Sequence, residues 1–148
     1  MLNPTTKTYS PSEVSVIVGN DIIDVFNTVE IALAEDKITH STASTGQSTR
    51  IINPSMLGTI TLNLPQSAET NDKVLEYYEK IIEEYMFGEF VSIEVKDKLG
   101  TSKYKIEKAS IKKPSDSNFE KEDSDRSWVF EGDFTKYKPG GAYHQARP

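Results

Sequence analysis

The chain has 148 residues, no cysteine, two histidines and a formal net charge of -6, from 17 basic and 23 acidic side chains. Its length suits one domain, 1–148, able to bury roughly 70% of its unfolded surface. Without thiols, disulfides, thiolate metal sites and cysteine nucleophiles are excluded. The acidic balance argues against a dedicated nucleic-acid binder, whose affinity rests on clustered basic residues. Mean hydropathy is -0.52, and no apolar run approaches the ~18 residues of a membrane span. The opening "MLNPTTKTYSPSEV" has neither the basic stretch nor the apolar core of a secretory signal, so the expectation is a protein used without export and without a membrane anchor.

In chain order, residues 1–10 are rich in Thr, Pro and Ser and read as an extended N-terminal arm. "EVSVIV" places Val14, Val16 and Val18 on one parity and ends at the turn residues Gly19, Asn20 and Asp21. "IIDVF" and "VEIALA" follow, the second with Val29, Ile31 and Leu33 on one face. These predict the strands of a hairpin or meander. Residues 35–57 show little periodicity and predict a long loop, whose isolated apolar residues suit a partner contact.

"GTITLNLP" alternates strictly, with Ile60, Leu62 and Leu64 on one side and Thr59, Thr61 and Asn63 on the other. Pro65 closes this strand because it has no N–H to donate. A single amphipathic helix is predicted over about 71–86. Ser67, Thr70 or Asn71 is available as its cap, and Val74, Leu75, Tyr78, Ile81, Ile82 and Tyr85 form one stripe. With no second helix to meet, that stripe must lie on a sheet. Glu83 and Glu84 fall at the negative end of the helix dipole, which marks them as candidates for docking a basic partner.

After Gly88, "FVSIEVKD" and "TSKYKIEKASIKK" flank the turn "DKLG". The apolar parity changes from Tyr104 and Ile106 to Ala109 and Ile111, which predicts a β-bulge near Glu107 and Lys108. A last strand carries Trp128, Phe130 and Phe134 on one parity, and residues 137–148 read as an extended C-terminal tail.

Little points to catalysis. The carboxylates lie on the polar face of the helix and in "EKEDSD", where solvated charge is expected, and the latter lacks the spacing of a calcium loop. No glycine pattern makes a phosphate loop, and no histidine or lysine accompanies the hydroxyls of 41–49 in a nucleophile motif. The expectation is no catalytic, cofactor or metal site. Trp128 at an inward parity reads as core before it reads as a stacking platform.

Three stretches, "YSPSEVSVIVGNDII", "STGQSTRIINPSMLGTITLNLPQSAETND" and "KYKIEKASIKKPSDSNFEKEDSDRSWVFEGDF", together resemble the inner tail tube proteins of contractile-tailed bacteriophages, relatives of type VI secretion tube proteins. The resemblance implies a mainly β fold, a tail-tube-type β-sandwich or barrel with one flanking helix. It implies a virion tail protein, assembled in the host cytoplasm as hexameric rings stacked into a hollow tube through which DNA passes. It also implies sheath, baseplate and tape measure proteins as partners, and no enzymatic activity. Transferred here, it makes Ile38, His40, Gly46, Arg50, Ile51, Ile52, Met56 and Tyr143 candidates for contacts between subunits. Outward-parity residues Glu30, Thr59, Thr61, Asn63, Ser92 and Glu94 become lumen candidates, since an acidic wall would let DNA slide. The alternatives are a tube subunit of a phage-derived contractile injection system, or a monomeric β-sandwich module binding carbohydrate or protein through Trp128 and the tyrosines near the tail.

Overall fold

The computed structural model describes residues 7–8, 13–141 and 144–145, with backbone alone described at 7–8 and 144–145. Its strands are β1 (Lys7–Thr8), β2 (Val14–Val18), β3 (Asp21–Ile23), β4 (Thr28–Leu33), β5 (Ile38–Thr42), β6 (Ser48–Ile52) and β7 (Leu57–Pro65). The helix α1 (Thr70–Glu83) and a 3₁₀ turn (Tyr85–Phe87) precede β8 (Val91–Asp97), β9 (Lys103–Ile111), β10 (Asp125–Lys138) and β11 (His144–Gln145). Seven strands form one antiparallel sheet in the order β3-β2-β8-β9-β10-β7-β4, and β1-β11 and β5-β6 are separate pairs.

The strand order explains the shape. β3 and β4 are the two edges of the sheet, yet only residues 24–27 join them. Laid flat, six inter-strand gaps of ~4.8 Å would hold the edges ~29 Å apart, whereas five backbone steps reach at most ~18 Å. The sheet therefore curls into a half-barrel. β2 and β3 do form a hairpin about Gly19, whose φ is +58°, but the expected meander stops there, because β4 crosses to the far edge and pairs with β7. Spacing along the chain carried no sign of that crossover.

The inward parity of each strand supplies the core: Val16 and Val18, Ile60, Leu62 and Leu64, Ile93, Ile106, Trp128 and Phe130 are all buried. On β9, Ile106 and Ala109 lie opposite Ile93 and Val91, so Glu107 and Lys108 together face the single residue Ser92 and form the expected bulge. The neighbouring strand makes room for it with Gly132, where a Cβ would come 2.6 Å from the Lys108 carbonyl oxygen.

The helix packs Val74 and Ile81 into the core, with Leu75, Tyr77 and Tyr78 partly buried beside them. Its start differs from expectation. Glu69 is the N-cap and makes no side-chain capping bond. Ser67 instead donates to Asp123 at 2.9 Å. Asn71 is buried and turns back on the preceding loop, its Nδ2 donating to the carbonyls of Pro65 (2.9 Å) and Ala68 (3.0 Å). Its Oδ1 accepts the indole N–H of Trp128 at 3.0 Å. The stripe also ends early: Ile82 and Tyr85 are exposed, because the chain leaves the sheet after Ile81.

The connection 35–57 carries structure of its own. β5 and β6 pair as a hairpin, Ile38 opposite Ile52 and His40 opposite Arg50, around a turn in which Gly46 has a φ of +87°. Alternation is hidden there because both faces meet solvent and neither needs to be apolar. At the other end, Tyr137 and Lys138, read as the start of the tail, belong to β10.

Candidate functional site

With no residue cluster suited to catalysis among the described residues, the surfaces that could meet a partner are the site to build. Among the described residues no three His, Cys, Asp or Glu side chains are grouped to hold a metal ion, and no helix is long and apolar enough to cross a membrane. Trp128 is buried beneath α1, so it offers no stacking platform, and the carbohydrate-binding alternative loses one of the aromatic residues on which it stood.

The hairpin is the first surface. All ten residues of β5 and β6 are exposed, although a two-stranded hairpin has no apolar face of its own to bury and is marginal in isolation. Its base is tied to the sheet: Ala34 N–H donates to the Leu57 carbonyl at 2.9 Å, Asn53 N–H to that of Lys37 at 2.8 Å, and the Lys37 Nζ to that of Ser55 at 2.6 Å. The register puts Ile38, Ile52, His40 and Arg50 on one face, with Ile51 on the other. Met56 sits apart from them, half-buried against the core, its carbonyl accepting the Phe134 N–H at 2.9 Å. Tyr143 lies outside the described residues.

The second surface is the end of α1. Tyr85, Met86 and Phe87 are 71%, 80% and 88% exposed, and Ile82 and Phe90 join them at the surface. Glu79 and Glu83 are exposed beside them and Glu84 is half-buried. Lys80 is engaged with Glu89 at 3.6 Å. Sequence reasoning placed Tyr85 in the buried stripe and gave Met86 and Phe87 no role. The available signal was Gly88, which with a φ of +72° ends the 3₁₀ turn and sends the chain away before the aromatic residues can fold under.

The outer face of the sheet is the third. Thr61 pairs with Glu30 and Val129, and Thr59 and Asn63 flank it, while Ser92 and Glu94 lie on β8 on the same side, opposite the core. The six lumen candidates thus share one face, in two groups separated by β9 and β10. Its charge departs from the acidic average. Lys103 lies opposite both Lys96 and Lys138, and Lys105 lies opposite Lys136, so cross-strand neighbours repel where the composition predicts net negative charge. Glu94 reaches Lys103 at 3.9 Å.

One partly buried polar contact links the helix to the β2–β3 turn. Tyr77 donates to Asp21 Oδ2 at 2.7 Å and accepts the Asn20 N–H at 3.1 Å. Burial, with a smaller contribution from the Asp21 carboxylate, raises the phenol above its usual range, against the lowering effect of the Asn20 bond. A phenol raised in the folded state favours folding fully below its unfolded value of about 10, and that contribution is lost as pH rises through the folded value. Wild-type stability should therefore fall as pH climbs above about 10, and Tyr77→Phe should flatten part of that fall in denaturant titrations at pH 9 to 11. An identical slope in the variant would show that other groups carry it.

No protein-family model matches the chain. It is 25% identical over 146 residues to structural protein ORF10 of Pseudomonas phage KPP10, covering 92% of this chain and 84% of that protein. Among solved structures it resembles the sheath/tube terminator of PVC, an extracellular contractile injection system, in its extended state, at 15% identity and a TM-score of 0.50, covering 85% of this chain and 93% of that one. It also resembles the tube-terminating cap of the anti-feeding prophage (12%, TM-score 0.50, 94% and 92%) and a chain of the PVC sheath-tube complex in the extended state (14%, TM-score 0.50, 94% and 91%). The half-barrel with its single helix is thus a fold used in the tube region of contractile particles.

Proposed function

We propose that this chain is a structural, non-enzymatic component of a contractile phage tail or of a related injection particle. Within it, the chain is a subunit of the inner tube, assembled as hexameric rings stacked into a hollow conduit for DNA. The observation that carries the reading is the fold, shared over at least 85% of this chain with proteins of contractile tube assemblies. The phage structural protein similar over 92% of the chain supports the virion setting. The surfaces fit the role: β3 and β4 leave sheet edges that neighbouring subunits can pair, closing a ring of sheets into one barrel. In such an assembly the face bearing Glu30, Thr61 and Glu94 would line the lumen, where Lys96, Lys103, Lys105, Lys136 and Lys138 on the same face make the wall mixed in charge and not acidic; sheath, baseplate and tape measure proteins are the expected partners.

A second reading comes from the neighbours themselves. Two of those named are a terminator and a cap, so this chain could instead form the ring that ends a tube. The two readings differ in growth, since a subunit that stacks on itself makes tubes of variable length and a terminator stops at one ring. Negative-stain electron microscopy of the concentrated protein, with light scattering on the same sample, separates them. Tubes of uniform width support the tube subunit, and single rings support the terminator. Monodisperse monomer at every concentration, including with preformed tube ends added, would sink both.

A further inference from the structure

We propose that the β5–β6 hairpin of one copy docks on the exposed end of α1, around Ile82 and Tyr85–Phe87, of a second copy. This rests on the reading of the chain as a self-assembling subunit. The two surfaces complement each other in chemistry. The hairpin face combines apolar Ile38 and Ile52 with His40 and Arg50, and no acidic residue occurs between Lys37 and Ala68. The helix end combines Ile82, Tyr85, Met86 and Phe87 with Glu79, Glu83 and Glu84. Joining them covers apolar area on both sides while setting basic side chains against acidic ones. It also places positive charge at the helix C-terminus, the end of the dipole that favours cations and now carries glutamates.

Both surfaces are open in the same chain, so they do not satisfy each other internally. The hairpin rises from β4 and β7, whereas the helix end leads into β8, and β9 and β10 stand between those strands in the sheet. Each copy therefore gives a hairpin and receives another. Passed head to tail, such a contact closes a ring or propagates along an axis, whereas a reciprocal exchange would stop at a two-fold dimer, which electron microscopy distinguishes.

The natural absence of cysteine makes the test direct, because an introduced thiol has no competitor. Ile52→Cys and Phe87→Cys are made as separate full-length variants, mixed in equal amounts and mildly oxidised, beside wild-type protein viewed by electron microscopy. The expected result is a disulfide joining the two variants, in clear excess over the homodimers of either alone. Adding Arg50→Glu to the first variant should lower its yield about fivefold, the scale of a solvent-edged ion pair, and adding Glu83→Lys to the second should restore it. Wild-type rings or tubes without the mixed disulfide would overturn the docking and leave the subunit reading intact. The mixed disulfide without rings or tubes would support the docking and count against the stacked-ring reading. Neither product would overturn both.

Discussion

Replacing Asn71 with alanine is expected to destabilise the fold by roughly 3 kcal/mol, from one buried donor left without a partner, which costs about 1–3 kcal/mol, and two further hydrogen bonds lost at about 0.5–1.5 kcal/mol each. The substitution leaves the buried Trp128 indole without its acceptor and takes one donor from each of the Pro65 and Ala68 carbonyls, which keep the Ala68 and residue-71 backbone N–H groups. Those three bonds fix where the chain turns from β7 into α1, and so where Val74 and Ile81 meet the sheet. For a domain of this size the loss corresponds to a fall of roughly 6–12 °C in Tm. Trp128→Phe removes the indole N–H and part of a buried ring as well, so its cost combines the lost bond with a cavity. A double-mutant cycle between the two, read by urea denaturation, should return a favourable coupling of about 1 kcal/mol. Strict additivity would mean that the Asn71–Trp128 bond contributes nothing beyond packing.

Removal of the hairpin should have the reverse signature: full loss of assembly with an almost unchanged monomer. None of the residues of β5 or β6 is buried, and replacing 38–52 by a short Gly–Ser turn also shortens the loop that folding must close. The monomer's stability is expected to stay within about 1 kcal/mol of wild type, as for surface changes away from the core. Rings or tubes should vanish in sedimentation and electron microscopy, because the deletion removes the apolar face of Ile38 and Ile52 and with it Arg50. Unaltered tubes from the deleted chain would exclude the hairpin from the assembly. A collapse of monomer stability would instead assign it a folding role that its exposure does not suggest.

The two experiments probe different levels of one design. Asn71 and Trp128 act inside the subunit, where a low-dielectric setting makes each unpaired polar atom costly. The hairpin and the helix end act between subunits, where exposed apolar surface is unfavourable for a free chain and becomes favourable once covered. A monomer that follows its helix with Tyr85, Met86 and Phe87 leaves their apolar surface in water. That exposure is relieved wherever a second copy supplies the cover.

Much of the subunit was legible in its sequence because the signals involved are local. Alternation identified the inward faces of β2, β7, β8 and β10, since a strand's side-chain period depends on the pleat alone. The parity change at Glu107 and Lys108 disclosed the bulge before any partner strand was known, because an extra residue must flip the side chains that follow it. Spacings of three and four identified the helix and its contacts Val74 and Ile81. Composition alone barred thiol chemistry. What the tertiary structure decided was every relation between distant segments: that β4 crosses to the edge opposite β3, that Asn71 faces Trp128 and leaves the cap to Glu69, that Ile82 and Tyr85 stay outside, and that five lysines gather on one face of an acidic protein. Such pairings depend on curl, register and crossover, which are settled by packing summed over the whole sheet. No window of sequence contains that sum, and the hairpin 38–52 was hidden for the same reason, since a strand pair with solvent on both faces has no core to impose a pattern on it.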